Sequence, residues 1–260
     1  GGKQFGRERE LDFLHMRLEV KPDFAKRTLR GEVQYRVRAI SRPVEKLSLD
    51  AVNLVGDGVQ VSVGKVRMEQ SEKELVCHFT PALAVGEEVV LTVQYHGEPV
   101  RGMYFRTRAM GYPETQLWTQ GEPVESRHWF PCFDDPAEKL TAEVICHVPE
   151  GMVALSNGKA AGVEKDADGL QVYRWKQEKP HALYLTALVA GELEKLSEDY
   201  HGLPLEFWTI PSDAKVAANS FRSTRSVMAF MEKETGMKFP WAKYAQVAIR
   251  DFHWGGMENT

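Results

Sequence analysis

Cysteine is scarce in this sequence of 260 residues, which contains only Cys77, Cys132 and Cys146. An odd and sparse set of this kind argues against a disulfide framework and favours a reducing compartment. The first residues also lack the basic and then apolar pattern of a secretory signal. We therefore expect a cytoplasmic protein.

Long apolar runs and an excess of basic residues are missing as well. The longest apolar run covers residues 182–190, which is too short to span a bilayer. The net charge of −4 gives no reason to expect nucleic acid or an anionic membrane as a partner. With 43% hydrophobic and 27% charged residues, the composition is that of an ordinary globular protein.

The sequence contains no motif that would hold a metal ion or activate a nucleophile. No two of its eight histidines are spaced as His-x-x-x-His, and it has no Cys-x-x-Cys, Gly-x-Ser-x-Gly or glycine-rich phosphate loop. His128 and Cys132 are four residues apart, but Pro131 lies between them and disfavours a continuous helix. We interpret this segment as an aromatic-rich loop with a buried cysteine.

The adjacent acids Asp134 and Asp135 could suggest a catalytic pair. Adjacent residues on an extended chain point in opposite directions, however, and Pro136 follows directly. We expect these acids to make turn hydrogen bonds or ion pairs, with Arg127 and Lys139 as partners.

Alternation of apolar and polar residues dominates the first 190 positions and predicts an all-β sandwich or open barrel. The first two strands should form a long antiparallel pair with one polar face. An irregular but ordered, aromatic-rich segment covers residues 97–140. The predicted strands cover residues 14–20, 29–39, 47–49, 59–66, 75–79, 89–95, 142–148, 153–156, 171–175 and 182–190, the last buried on both faces.

The pattern changes after about residue 191. A hairpin is predicted within residues 192–211, and a single helix should begin at Ser212 or Asp213 and end at Gly236. Its methionine and phenylalanine residues recur at helical spacing, which is typical of core packing. A further strand is predicted at residues 246–250. The change from strands to helix plus strand predicts a domain boundary near residue 192.

Two acidic segments could together bind a ligand ammonium group. One is Gln120-Gly121-Glu122, and the other is Gly255-Gly256-Met257-Glu258-Asn259. The adjacent glycines of the second segment allow a close approach of backbone, because no Cβ stands in the way. Two carboxylates on one ammonium would form strong charge-assisted hydrogen bonds. Each segment alone is also consistent with a solvated surface acid.

Two groups of residues in this order are similar to those of one enzyme family. The first comprises Gln120-Gly121-Glu122, Arg127, Phe130-Pro131-Cys132-Phe133-Asp134-Asp135-Pro136 and Lys139, and the second is Gly255-Gly256-Met257-Glu258-Asn259. They resemble the N-terminal-domain signature and the Gly-x-Met-Glu-Asn exopeptidase motif of the zinc aminopeptidases of the aminopeptidase N and leukotriene-hydrolase family. The resemblance is strong over residues 100–260, whereas over residues 11–99 it rests on the strand pattern.

The resemblance implies a mostly β fold and an enzyme that removes N-terminal residues from peptides with a free N-terminus. Residues 1–192 would form a large antiparallel, saddle-like β-sandwich domain. Residues 193–260 would form the α+β beginning of a thermolysin-like catalytic domain, which the chain contains incompletely.

The resemblance also assigns substrate-binding roles. Glu258 matches the acid that binds the free α-ammonium, and Glu122 matches the acid or amide of the β domain that shares this role. Gly255 and Gly256 match the backbone that pairs with the substrate main chain, and Trp254 would line the pocket for the first side chain. Gln120 and Met257, which belong to the same two motifs, are expected to bind substrate as well.

The family's zinc ligands, general base and transition-state tyrosine all lie beyond the Gly-x-Met-Glu-Asn motif. We therefore expect no metal site and no catalytic residue in this chain, and zinc as cofactor of a longer parent protein. The chain itself would then be an inactive N-terminal fragment. A non-catalytic scaffold of the same fold is one alternative. A β-sandwich that binds carbohydrate through the aromatic residues of segment 104–133 is another.

Overall fold

A computed structural model describes residues 7–259 and is mostly β-sheet, as the sequence predicts. The strands of this described part are β1 (Leu11–Asp23), β2 (Thr28–Ala39), β3 (Val44–Asp50), β4 (Leu54–Val61), β5 (Lys65–Gln70), β6 (Glu74–Leu83), β7 (Glu88–Gly97), β8 (Met103–Arg106), β9 (Gln116–Thr119), β10 (Lys139–Val148), β11 (Val153–Ser156), β12 (Lys159–Lys165), β13 (Gln171–Ala182), β14 (Leu188–Gly191), β15 (Glu194–Tyr200), β16 (Leu203–Thr209) and β17 (Tyr244–Val247). The helices are α1 (Ala214–Phe221) and α2 (Thr224–Thr235), both between β16 and β17.

A seven-stranded sheet in the order β12-β13-β10-β1-β2-β7-β4 is the largest layer. β1 pairs antiparallel with β2 along its whole length and parallel with β10. Met16, Leu18 and Val20 of β1 are buried, whereas Arg17 and Glu19 between them are half-buried. This alternation confirms the predicted antiparallel pair with one polar face.

Two smaller sheets pack on the apolar face of this layer. Their orders are β3-β6-β5 and β11-β14-β9-β8. One core cluster joins all three sheets, with Phe13 and Tyr35 from the large sheet, Leu49 and Leu75 from the second, and Leu117 from the third. These sheets therefore share a single hydrophobic core, as in a sandwich.

Two predicted strands in this region are wrong, and the segment over residues 97–140, which was predicted to be irregular, contains β8 and β9. A strand over residues 59–66 does not form, because β4 ends at Val61 and β5 begins at Lys65, with Gly64 at φ +77° between them. The strand over residues 182–190 is also interrupted, since a short helical turn at Leu183–Leu185 separates β13 from β14. The exposed edge strand β12 was not predicted, because none of its residues is buried and its pattern carries no apolar period.

Residues after Gly191 form a separate three-stranded sheet with two helices. The predicted hairpin is confirmed as β15 and β16, and β17 adds to β16 in parallel. The predicted single helix is wrong, since α1 ends at Phe221 and α2 begins at Thr224. Gly236 ends α2 in the left-handed conformation, as predicted. Only part of the apolar stripe is core, because Met228 is buried whereas Met231 is half exposed.

The three cysteines are free and buried. Burial raises the pKa of the Cys77 thiol to about 12. Over residues 7–259, no helix is both long enough and apolar enough to span a bilayer.

Candidate functional site

The hairpin of β8 and β9 presents two different faces. Met103, Phe105 and Leu117 point into the main core, in keeping with the two-residue period of a strand. On the opposite face, Tyr104 stacks on its cross-strand partner Trp118 with 4.3 Å between ring centroids. Arg106 lies opposite Gln116 in the same register, so a polar pair lies beside the aromatic pair.

Residues 250–252, shortly before the glycine-rich motif, dock on that second face. The indole Nε1 of Trp118 donates a hydrogen bond to the carbonyl oxygen of Arg250 at 3.1 Å. The backbone N–H of Arg250 donates to Oε1 of Gln116, also at 3.1 Å. The ring of Phe252 packs edge-on against Trp118, with 5.4 Å between centroids. The β8–β9 hairpin therefore holds residues 250–252, which lead into the glycine-rich motif.

Asp251 adds a charged contact to the same docking surface. Its Oδ2 lies 3.3 Å from Nε of Arg106 and accepts a hydrogen bond from the hydroxyl of Tyr112. The Tyr112 hydroxyl, and then the nearby Arg106 guanidinium, lower the pKa of the Asp251 carboxyl. The carboxylate form of Asp251 is thus favoured by both partners.

A cavity of about 910 Å³ lies next to this docking surface. Its walls come from both parts of the chain, with Trp118, Asn157 and Tyr184 on the β-sandwich side. Lining residues from the second part include Phe239, Trp241, Lys243, Gly255, Gly256, Met257 and Glu258. Four of the seven residues predicted to bind substrate therefore border one cavity.

The glycines of the motif leave open space around their backbone. Gly255 adopts φ +77°, and a Cβ built on Gly255 or Gly256 would meet no other atom within 4 Å. The side chain of Glu258 is exposed and that of Met257 is half-buried. A ligand could therefore approach this backbone and the Glu258 carboxylate without displacing protein atoms.

The other three predicted residues lie outside the cavity lining. Gln120 is almost fully buried, and its side-chain Oε1 has no hydrogen-bond partner within the described chain. Glu122 is exposed. Trp254 is 53% exposed and lies 6.5 Å from the ring of Tyr104. The predicted meeting of Glu122 and Glu258 on one ammonium group stays a prediction.

The segment from Arg127 to Pro136 is linked by hydrogen bonds and ion pairs within itself and to the end of β3. Arg127 donates from Nε to Oδ2 of Asp134 at 3.0 Å, which confirms the predicted Arg127 pairing. Asp50 at the end of β3 accepts the backbone N–H of Asp134 and makes a backbone bridge to Cys132. Burial raises the pKa of Asp134 to about 6, although the Arg127 guanidinium opposes that shift. Asp134 therefore supports the fold and not a catalytic pair.

His128 and Cys132 do not form a reactive pair. Burial lowers the pKa of His128 and raises the pKa of the Cys132 thiol well above its usual value. A thiol in that environment stays protonated and is a poor nucleophile or metal ligand. Among residues 7–259, no group of three or more His, Cys, Asp or Glu side chains could hold a metal ion.

Lys243, which also lines the cavity, links the two parts of the chain. Its Nζ donates to the carbonyl oxygens of Ser156 and Gly158 at 2.7 and 2.6 Å. The same ammonium lies 4.5 Å from the centre of the Trp175 ring. Burial lowers the pKa of Lys243 to about 8.

Arg106, Tyr112, Asp251 and Lys243 contribute to this site but were not singled out from the sequence. Their partners are distant in the chain; for example, Arg106 and Asp251 are separated by a domain's length of sequence. No local spacing signals such a contact. The one sequence signal for this contact is Arg106, a cation that lies close in sequence to the aromatic residues Tyr104 and Trp118 of the β8–β9 hairpin.

Comparison with known proteins agrees with this architecture. The Peptidase M1 N-terminal domain matches residues 13–185, and the chain belongs to this family. It is similar to a probable aminopeptidase 1 of Saccharolobus solfataricus, with 28% identity over 217 residues, which cover 83% of this chain and 27% of the relative. It is also similar to the mitochondrial aminopeptidase 2 of Saccharomyces cerevisiae and to aminopeptidase 2 of Candida albicans, with 24% and 25% identity over 95% of this chain and 27% of each relative. The chain thus spans about a quarter of the length of these relatives.

Proposed function

We propose that this chain is the N-terminal part of a zinc-dependent aminopeptidase, in which it holds the α-amino end of the peptide substrate. One observation carries the proposal. The acidic, glycine-rich segment at residues 255–258 borders a cavity of about 910 Å³ between the β-sandwich and the second part of the chain. The relatives, which are named as aminopeptidases, support the same class of reaction.

The two carboxylates would select for a free N-terminus. Glu258 would bind the α-ammonium, and Glu122, with Gln120 beside it, would approach from the β-sandwich when substrate is bound. An ammonium between two carboxylates makes charge-assisted hydrogen bonds, which are the stronger kind. An internal peptide segment carries no charge at that point, so the carboxylates would be desolvated without a partner. This cost would exclude endopeptidase activity.

The remaining residues would orient the peptide. Gly255 and Gly256 would pair with the substrate main chain, since the space around their backbone is open. Met257 would contribute to the same wall of the cavity. Trp254, which is exposed beside Tyr104 and Phe252, would contact the first side chain of the substrate.

In the proposed enzyme, the zinc ligands would lie outside residues 7–259. The side chains of residues 7–259 do not fit a zinc site, because they form no group of three or more metal-ligating side chains. The chemistry that zinc supplies to such enzymes, polarisation of a carbonyl and activation of water, is therefore not assigned to residues 7–259. The contribution of this chain is confined to holding and orienting the peptide.

Two further parts of the proposal concern organisation and location. We place the domain boundary at residues 192 and 193, where the three-stranded sheet with its helices begins. Three unpaired, buried cysteines support a cytoplasmic location, because reducing compartments keep thiols free.

Substitution of the two acids in the whole protein tests the function. In Glu258→Gln and Glu122→Gln, cleavage of a peptide with a free N-terminus should lose about 2–4 kcal/mol of transition-state stabilisation, or roughly 30- to 700-fold in kcat/KM. An acetylated peptide should not be cleaved by any variant, and the unaltered protein should bind about one zinc per chain. The measurements are steady-state kinetics and metal content.

Glu234→Gln is the matched control, because Glu234 is an exposed acid on α2 outside the cavity lining. It should leave kcat/KM unchanged. Equal cleavage of free and acetylated peptides, or kinetics that both acid variants leave unaltered, would contradict the ammonium anchor.

A further inference from the structure

We propose that Arg106 is a positioning residue that acts through Asp251 to hold the segment 255–258 at the wall of the cavity. The inference rests on the proposed function, because it concerns how the substrate-binding segment is kept in place. It adds a role for residues of the β8–β9 hairpin that do not themselves line the cavity.

The guanidinium of Arg106 is enclosed by three aromatic rings. It lies 5.3 Å from the ring centre of Trp118, 5.7 Å from that of Tyr112 and 5.9 Å from that of Tyr104. Only 12% of its side chain is exposed. Such rings attract a cation through their π-faces and also exclude water from it. The three rings therefore hold the Arg106 guanidinium in place independently of its anionic partner.

Asp251 is the carboxylate that this cation meets. The Nε–Oδ2 distance is 3.3 Å, and Nη1 of Arg106 is used locally by the carbonyl oxygen of Phe105. Among the described residues, Arg106 makes no other ion pair, so its charge is not shared between competing acids. The contact is an ion pair without the geometry of a hydrogen bond, between a largely desolvated cation and a carboxylate that is 47% exposed.

Asp251 carries this restraint into the backbone of the motif segment. Its φ of +56° is a left-handed conformation that Asp tolerates better than most residues, and in that conformation its side chain contacts Arg106 and Tyr112. The flanking Arg250 is fixed through both its N–H and its carbonyl oxygen. Residues 250 and 251 are thus held by four separate contacts to the β8–β9 region.

The segment after this anchor has little support of its own. Residues 253–259 make no ion pair within the described chain, and apart from a turn at residues 253 and 254 the contacts there are between the rings of His253, Trp254 and their neighbours. Among the described residues, the contacts of residues 250–252 are the nearest ion pairs and side-chain hydrogen bonds that precede the Glu258 carboxylate in the chain. Loosening the Arg106–Asp251 contact should let the carboxylate drift, and small displacements of binding groups reduce rates strongly.

Arg106→Met tests the proposal, because methionine keeps an apolar side chain among the rings and removes the charge. Asp251→Asn removes the charge on the other side with little change in volume. In the whole protein, each should lower kcat/KM for a peptide with a free N-terminus by at least about tenfold. Arg108→Met is the matched control, since Arg108 is exposed on the same segment and pairs with Glu192 instead.

A double substitution separates positioning from general loss of stability. If Arg106 acts by placing Glu258, then adding Arg106→Met to Glu258→Gln should reduce kcat/KM by less than about twofold further. A purely structural role would multiply the two losses. Multiplying losses, or an Arg106→Met variant with unaltered kinetics, would overturn the proposal.

Amide hydrogen exchange keeps this inference distinct from the proposed function. In the 260-residue chain, the Arg250 amide, which is hydrogen-bonded to Gln116, should exchange faster in Arg106→Met and Asp251→Asn than in the unaltered chain or in Arg108→Met. Unchanged exchange would overturn the anchoring, whatever the activity. If the whole protein cleaves no peptide, the proposed function fails, and the exchange rates still decide whether Arg106 anchors the segment.

Discussion

His181 illustrates how a single buried side chain can set the acid stability of this fold. It is 2% exposed, near the end of β13. Its Nδ1 lies 3.4 Å from the carbonyl oxygen of Lys179 and its Nε2 lies 3.3 Å from Oγ1 of Thr186. A neutral ring satisfies this pair, with Nδ1–H donating to the carbonyl oxygen and Nε2 accepting from the hydroxyl. Burial lowers the pKa of His181 to about 4.

We expect this histidine to destabilise the protein as the pH falls from about 6.5 to about 4. The unfolded chain binds the proton near pH 6.5 and the folded chain only near pH 4. Between these values the unfolded state binds more protons, so the free energy of unfolding falls as pH falls. The total effect is roughly 3 kcal/mol. Above pH 6.5 the group has no effect.

Urea unfolding at about pH 7 and about pH 4.5 measures this effect. His181→Gln, which cannot gain a proton, should lose less stability between the two pH values than the unaltered protein does. His201→Asn is the control, because His201 lies exposed in the β15–β16 turn and Asn tolerates its φ of +54°. Equal pH dependence in the unaltered protein and in His181→Gln would contradict the prediction.

At the scale of single elements, the contact between β14 and β9 depends on Gly191. Gly191 pairs with Gln116, the residue that accepts the Arg250 N–H. Its φ is +148°, and a Cβ there would lie 2.3 Å from the carbonyl oxygen of Thr115. A side chain at this position would have to displace backbone, and the backbone concerned leads directly into β9.

Gly191→Ala should therefore lower the free energy of unfolding by roughly 3 kcal/mol or more, since backbone displacement adds to the strain of its φ. Gly162→Ala on the edge strand β12 is the matched control. Its φ is +140°, but a methyl group there would meet no atom within 4 Å, so only the strain of about 1–3 kcal/mol applies. Thermal or urea unfolding compares the two. Equal losses would show that the contact with Thr115 does not matter.

The long strands β1, β2 and β7 could be predicted from the sequence, whereas the edge strand β12 could not. β1, β2 and β7 alternate cleanly, because one face of each packs on the core. β12 has no buried residue and therefore no period. No helix-breaking residue marks the interruption between α1 and α2, since the two residues between them are Arg222 and Ser223. The break lies between the stacking of Phe221 on Phe207 of β16 and the hydrogen bond from Thr224 to Gln246 of β17.

The candidate site shows the same division. The segments around Glu122 and Glu258 could be singled out because their residues are adjacent in sequence. The contacts that support residues 250–252 could not, because Arg106, Tyr112 and Trp118 reach them only after the sheets have assembled. Sequence thus singled out the segments that we propose to meet a ligand, and the structure added the residues that contact one of them.

At the scale of the whole molecule, the two parts of the chain share an apolar contact. Leu155 and Trp175 of the β-sandwich pack with Leu193, Trp208 and Ile210 of the second part. Division at the proposed boundary after residue 192 would expose these side chains to water. The two parts therefore support each other even though each has its own sheet.

Lys243 should make the stability of this joint depend on pH above neutrality. The ammonium donates to two carbonyl oxygens of the β11–β12 connection, and burial is the main cause of its lowered pKa of about 8. In the unfolded chain the same group titrates near 10.5. Between these values the unfolded state binds more protons, so the free energy of unfolding rises with pH by up to roughly 3 kcal/mol. The neutral amine keeps two hydrogens and can still donate to both Ser156 and Gly158.

The difference in unfolding free energy between the unaltered protein and Lys243→Met isolates this effect from the titration of tyrosines and thiols. We expect the unaltered protein to gain stability relative to Lys243→Met as the pH rises from about 7.5 toward 10.5, with urea midpoints as the measurement. Lys215→Met, at an exposed position on α1, should show a constant difference over the same range. If the difference in unfolding free energy between the unaltered protein and Lys243→Met is also constant over this range, Lys243 has the same pKa in the folded and unfolded states. That result would contradict the prediction that the folded protein desolvates the Lys243 amine.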